Sequence, residues 1–161
     1  MLDQTEVTLE DNGRELTFRI KKMPSTKAFR FSALLFKEFL KLGVINNDLL
    51  KQEGDIFSAL KQVMLDDGLQ RLGEIDEEVL ERIAAMLLET TEFKVGKAYT
   101  RLSWDTVDQY IQSLFTLLML IKEAIMVNIG FLQNVSALSI PTSAQEESNQ
   151  GSSKPAMFLK S

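Results

Sequence analysis

LTFRIKKMPSTKAFRF, residues 16 to 31, opens with apolar and polar residues in alternation, meets a proline, and continues with apolar residues at helical spacing. Leu16, Phe18 and Ile20 fall on one face of an extended segment, because successive strand side chains point to opposite faces. Pro24 ends that pattern. It has no backbone N–H to donate, and its fixed φ suits the first turn of a helix that Pro24 or Ser25 begins. Ala28, Phe31, Leu35, Phe39 and Leu42 then recur every three or four residues until Gly43 closes the helix. Phe29, Phe36 and Leu40 widen the apolar stripe beyond the usual arc, so this helix is expected to be covered on more than one side.

Toward the N-terminus, Val7 and Leu9 alternate with polar residues in the same way, and Asn12-Gly13 lies between the two runs. This predicts a β-hairpin from Glu6 to Ile20 on a two-residue turn. That turn sets Leu9 against Leu16 and Val7 against Phe18 on one face, and Glu6 against Arg19 and Thr8 against Thr17 on the other. Asp11 faces Arg14, while Glu10 faces Glu15 at a small local cost. Since a lone hairpin is only marginally stable in water, its apolar face must lie on helices.

Toward the C-terminus, Asn46 to Gly54 is a polar connection with room for a short helix from Asn47 or Asp48. Asp55 caps a helical stretch bearing Ile56, Leu60, Val63 and Met64, and Asp66-Asp67-Gly68 weakens or ends it. Leu69 and Leu72 continue the spacing and Gly73 breaks it. Asp76 caps a further helix with Val79, Leu80, Ile83, Met86 and Leu87 inward. Thr90 to Arg101 reads as irregular around Gly96. Ser103 is the expected N-cap of the longest helix, Trp104 to Ile129, which is apolar nearly all round from Leu114 to Ile121 and is therefore expected at the centre. Residues 136–161 are rich in Ser, Gln, Asn and Glu and read as a disordered polar tail, with Met157-Phe158-Leu159 as a small docking candidate within it. The expected fold is mainly α: an N-terminal β-hairpin packed on about four to five helices in one domain, residues 1–135.

At 161 residues with 45% hydrophobic content, the chain is long enough to bury a core of its own. It has no cysteine and no histidine, which removes disulfides, thiolate nucleophiles, imidazole bases and the commonest zinc ligands. The start of the chain is acidic and lacks the pattern of a secretory leader, and no apolar run approaches membrane-spanning length, so residence in the cytoplasm is expected.

The net charge of −5 is unevenly spread. Residues 14–41 carry eight Lys/Arg against two acids, whereas residues 42–92 carry four against twelve. The basic stretch could follow a nucleic-acid backbone, and a small nucleic-acid-binding regulator using residues 14–41 is the alternative function. The overall acidity, the absence of a nucleic-acid-binding motif and the acidic block, which can neutralise those cations, weigh against it. Ser58-Ala59-Leu60-Lys61 matches an S-x-x-K acylation motif without its companion motifs. Asp76, Glu77, Glu78 and Glu81 lack calcium-loop spacing, and Gly96-Lys97 lacks the rest of a phosphate loop. No catalytic residue, cofactor or metal ligand is assigned. The wide apolar arcs on the first and last helices exceed what a domain of this size readily covers, which points to a protein partner.

LTFRIKKMP at Leu16–Pro24 and LIKEAIMVNIGFL at Leu120–Leu132 resemble the two ends of tail assembly chaperones of long-tailed bacteriophages. Two positions depart from the family pattern: Leu132, where a second aromatic is usual, and Ile121, where a basic residue is common. The resemblance implies a non-enzymatic assembly factor of the host cytoplasm that coats the tape-measure protein and keeps it soluble. It also implies recruitment of tail-tube protein, in many members through a frameshift-extended form, and absence from the finished virion. Self-association of chaperone copies is expected, with neither membrane nor nucleic acid as partner. The partner-interface candidates are Phe29, Arg30, Phe36 and Lys37 on the first helix, and Trp104, Phe115, Leu118, Met119 and Phe131 on the last.

Overall fold

A computed structural model describes residues 4–130; the expected tail and Phe131 lie outside them. Strands β1 (Gln4–Asp11) and β2 (Arg14–Lys21) pair around Asn12-Gly13 in the register that a two-residue turn dictates. Asn12 and Gly13 both hold positive φ, 51° and 86°, which these two residue types tolerate and which matches the strand twist. The conflict at Glu10–Glu15 is eased because Glu10 Oε2 accepts the Gly13 N–H at 2.8 Å.

Helix α1 (Ser25–Lys41) follows Pro24, and α2 (Asn47–Glu53) follows Asn46, whose side chain accepts from the Leu49 N–H. Asp55 caps α3 (Ile56–Glu74), which kinks at Asp67 where φ is −138° and ψ is 38°. The Asp-Asp-Gly stretch thus bends the helix without ending it, and the apolar spacing carries on through Gly73. Asp76 caps α4 (Glu77–Leu88).

Two stretches depart from the sequence reading. Residues 90–101 are not irregular: β3 (Thr91–Val95) and β4 (Ala98–Arg101) form a second hairpin that joins β2, giving one antiparallel sheet in the order β1-β2-β3-β4. Strands this short show too little alternation to stand out alone. Their partner supplies the definition, since Phe18 faces Phe93 and Arg19 faces Glu92, with the two rings 5.4 Å apart. The N-terminal hairpin is therefore half of a four-stranded sheet.

Ser103 is not the cap of the last helix. Its Oγ accepts the Thr106 N–H in a local turn, a short 3-10 turn follows at Val107–Gln109, and helix α5 begins only at residue 114, continuing through residue 130. Leu102, Val107 and Ile111 are buried, so this stretch is held on the core as a chain of turns. Trp104 consequently sits in a turn and not on a helix.

The core lies between the sheet and the helices. Leu16, Phe18 and Ile20 from β2 meet Phe31, Leu35 and Phe39 from α1, Leu60 and Met64 from α3, Ile83 and Leu87 from α4, and Leu120, Ile125 and Ile129 from α5. Burying a side chain of this size contributes about 1.5–3 kcal/mol before the entropy of ordering it is set against it. α1 is covered on one side only, against expectation: Phe29 is 76% exposed, and Leu40 and Leu42 face solvent. α5 is enclosed from Leu120 onward, but its first turn leaves Leu114 71% and Phe115 62% exposed.

Candidate protein-docking surfaces

α5 is fixed at one end to β1 and at the other to the link between β2 and α1, by contacts that reach across more than a hundred residues of sequence. Asp11, fully buried at the end of β1, accepts the backbone N–H groups of Gln112 and Ser113, each at 2.9 Å. Its carboxylate thereby fills the N-terminal site of a helix from another part of the chain, where orphan donors and the helix dipole favour negative charge. Arg14 donates to Asp11 at 2.7 Å and to the Tyr110 carbonyl at 3.3 Å, and Thr116 Oγ1 donates to the Glu10 carbonyl. Burial alone would push the Asp11 carboxyl up, but the Gln112, Ser113 and Arg14 hydrogen bonds outweigh it and hold it below the ordinary carboxylate value.

At the other end, buried Asn128 accepts the Met23 N–H at 3.0 Å and donates to the Ala124 carbonyl. A helix rises about 22 Å from Ser113 to Asn128, and β2 from Arg14 to Lys21 spans about 23 Å, so α5 matches the strand it is pinned along.

The basic segment is mostly neutralised within the fold. Arg19 and Lys21 both pair with Glu92, Lys27 with Glu89 and Lys41 with Glu38. Partial burial would raise the Glu92 carboxyl, yet its bonds to Arg19 and Lys21 hold it low. Among the described residues Lys22, Arg30 and Lys37 form no ion pair. Arg30 and Lys37 stand on the outer side of α1, where Ser25, Thr26, Phe29, Arg30, Ala33, Leu34 and Lys37 line a groove of about 580 Å³. Its apolar floor is Phe29, Ala33 and Leu34, flanked by two uncompensated cations.

Three of the candidate interface residues, Phe29, Arg30 and Lys37, therefore come together. Phe36 turns the other way and packs half-buried against the core. Phe115 lies on the exposed first turn of α5, Trp104 is 38% exposed in the turn after β4, and Leu118 and Met119 are half-buried in the second turn of α5. None of these four lines the α1 groove. The sequence reading passed over Leu114, more exposed than Phe115, because an apolar residue entering a long apolar run reads as core. A second hollow of about 200 Å³ opens beside it, lined by Val107, Asp108, Ile111, Gln112, Ser113, Leu114 and Leu117.

Among the described residues no helix is long and apolar enough to cross a membrane. A family model described as phage tail assembly chaperone protein, TAC, matches residues 12–138, which spans β2, the β3–β4 hairpin, all five helices and the α1 groove. No curated protein and no solved structure matches the chain. The matched residues make up most of the 161-residue chain, and the chain belongs to the phage tail assembly chaperone family.

Proposed function

We propose that this chain binds the tape-measure protein in the host cytoplasm during tail assembly, keeps it soluble, and leaves before the virion is complete. The observation that carries the reading is the α1 groove: Phe29 exposed on the outer side of the helix, beside Arg30 and Lys37, which form no ion pair among the described residues. An apolar floor with a cationic rim fits one side of an amphipathic helix that has acids beside its apolar stripe, in the helix-in-groove mode of recognition. The exposed turn at Leu114 and Phe115 provides a second apolar contact on the same client, with Leu118, Met119, Trp104 and Phe131 as further candidate contacts. Tail-tube protein is recruited through a frameshift-extended form, and copies of the chaperone associate along the client. The apolar floor favours a protein client over nucleic acid, which makes phosphate contacts with cations and needs no aliphatic bed.

The test is co-expression with the tape-measure protein of the same genome, followed by affinity capture and mass measurement of the complex. A soluble complex with several chaperone copies per client is the expected result. An insoluble tape-measure protein, with this chain recovered alone, overturns the reading.

A further inference from the structure

Among the described residues the sheet has two outer strands, and they carry opposite charge. Strand order makes β1 and β4 its outer strands. In a two-residue hairpin the residues flanking the turn form the first hydrogen-bonded pair, and every second residue thereafter bonds inward. On β1 these are Asp11, Leu9 and Val7, opposite Arg14, Leu16 and Phe18. Glu6 and Thr8 therefore direct their N–H and C=O groups out of the sheet. On β4, Ala98 and Thr100 face inward opposite Val95 and Phe93, and Tyr99 and Arg101 present their backbone outward. The bonds from Lys21 N to Thr90 O and from Leu102 N to Thr91 O fix the same parity on the strands between.

We infer that copies of this chain join edge to edge, β1 of one against β4 of the next, into one continuous antiparallel sheet. All four strands alternate in direction, so a fifth strand supplied by a neighbour's β1 continues the alternation with the apolar faces on the same side. One register satisfies both backbone and charge. With Glu6 opposite Arg101, Thr8 meets Tyr99 and Glu10 comes to Lys97, and both charged pairs are complementary. Arg101 is available because its own cross-strand neighbour, Glu92, is already held by Arg19 and Lys21. Glu6 accepts the Tyr99 hydroxyl of its own chain, which raises the Tyr99 pKa and leaves the carboxylate further acceptor sites for a guanidinium.

Charge also selects against the alternatives. β1 paired on β1 about Thr8 sets Glu6 against Glu10, and β4 paired on β4 about Tyr99 sets Arg101 against Lys97. The surviving contact is heterologous, which generates an open array and no closed dimer. Thr116 covers the Glu10 carbonyl, so backbone pairing is confined to the Glu6–Thr8 stretch, and a contact this short is reversible, as an assembly factor requires.

The inference deepens the self-association in the proposed function and rests on that reading for its use along a client. The test is sedimentation of the full chain over a range of concentration at low salt, for wild type, Glu6→Arg and Arg101→Glu, separately and mixed. Each variant alone opposes like charges at the edge and is expected to associate at least about tenfold more weakly than wild type. An equimolar mixture restores complementary edges and is expected to recover association, which also shows that both variants fold. A monomeric wild type, or variants that associate as well as wild type, overturns edge pairing. Client capture is measured on the same samples: capture by a monomeric wild type sinks the edge contact alone, and charge-dependent association without capture sinks the client reading alone.

Discussion

Asp11 has the largest structural role for its size. It ends β1, faces Arg14 and supplies the acceptor for the start of α5. Asp11→Ala removes the cap and leaves the Gln112 and Ser113 N–H groups unpaired, a cost of about 2–4 kcal/mol that urea unfolding at pH 7 measures. The sign of the pH dependence follows from the lowered carboxyl. A folded-state pKa below the unfolded value gives stability that is fully present above the unfolded pKa, ordinarily about 3.9, and is lost as pH falls through the lower folded value. The urea midpoint of wild type should therefore drop below about pH 4, and Asp11→Asn should flatten that acid limb. Ser32 provides a contrasting case. Its Oγ is buried on α1 without a hydrogen-bond partner among the described residues, so Ser32→Ala should leave stability unchanged or raise it by about 0.5–1 kcal/mol.

α1 separates folding from function along one helix, because its two faces have different tasks. Phe31 is fully buried and Phe29 stands in solvent. Phe31→Ala should cost about 3–5 kcal/mol. Phe29→Ser should shift stability by less than about 0.5 kcal/mol while lowering the amount of tape-measure protein recovered by affinity capture; normal capture by that variant would remove the groove from the interface. α5 depends on a clamp instead. Asn128→Ala leaves the Met23 N–H buried and unpaired, and a loss of about 1–3 kcal/mol in urea unfolding is expected. The elements differ in how legible they were for a related reason. The β1–β2 turn, its register and the caps at Asp55 and Asp76 depend on neighbours in sequence and could be read directly. The β3–β4 hairpin and the start of α5 depend on β2 and Asp11, both far away in the chain, and local signals pointed elsewhere.

Across the whole molecule, most cations of residues 14–41 are held in ion pairs, which leaves Arg30 and Lys37 on the α1 groove, while Asp48 of α2 and Glu77 and Glu78 in the first turn of α4 face solvent. Arg30→Glu together with Lys37→Glu should abolish client capture with helicity by circular dichroism unchanged. Capture by wild type should weaken as salt rises and the screening length falls from about 10 Å at 0.1 M to about 3 Å at 1 M; capture insensitive to both changes would exclude an electrostatic rim. The sequence by itself determined the first hairpin and its register, the existence of four of the five helices in nearly their places, the exclusion of thiol and imidazole chemistry, and the family, because these follow from short-range periodicity, turn chemistry, composition and two local motifs. Tertiary structure alone decided that the hairpin is half of a four-stranded sheet, that α5 starts at residue 114, ten residues after the expected Trp104, and which phenylalanines of α1 face water. Each of these is fixed by a partner distant in the chain, and burial is a property of where two surfaces meet, which no single helix or strand records.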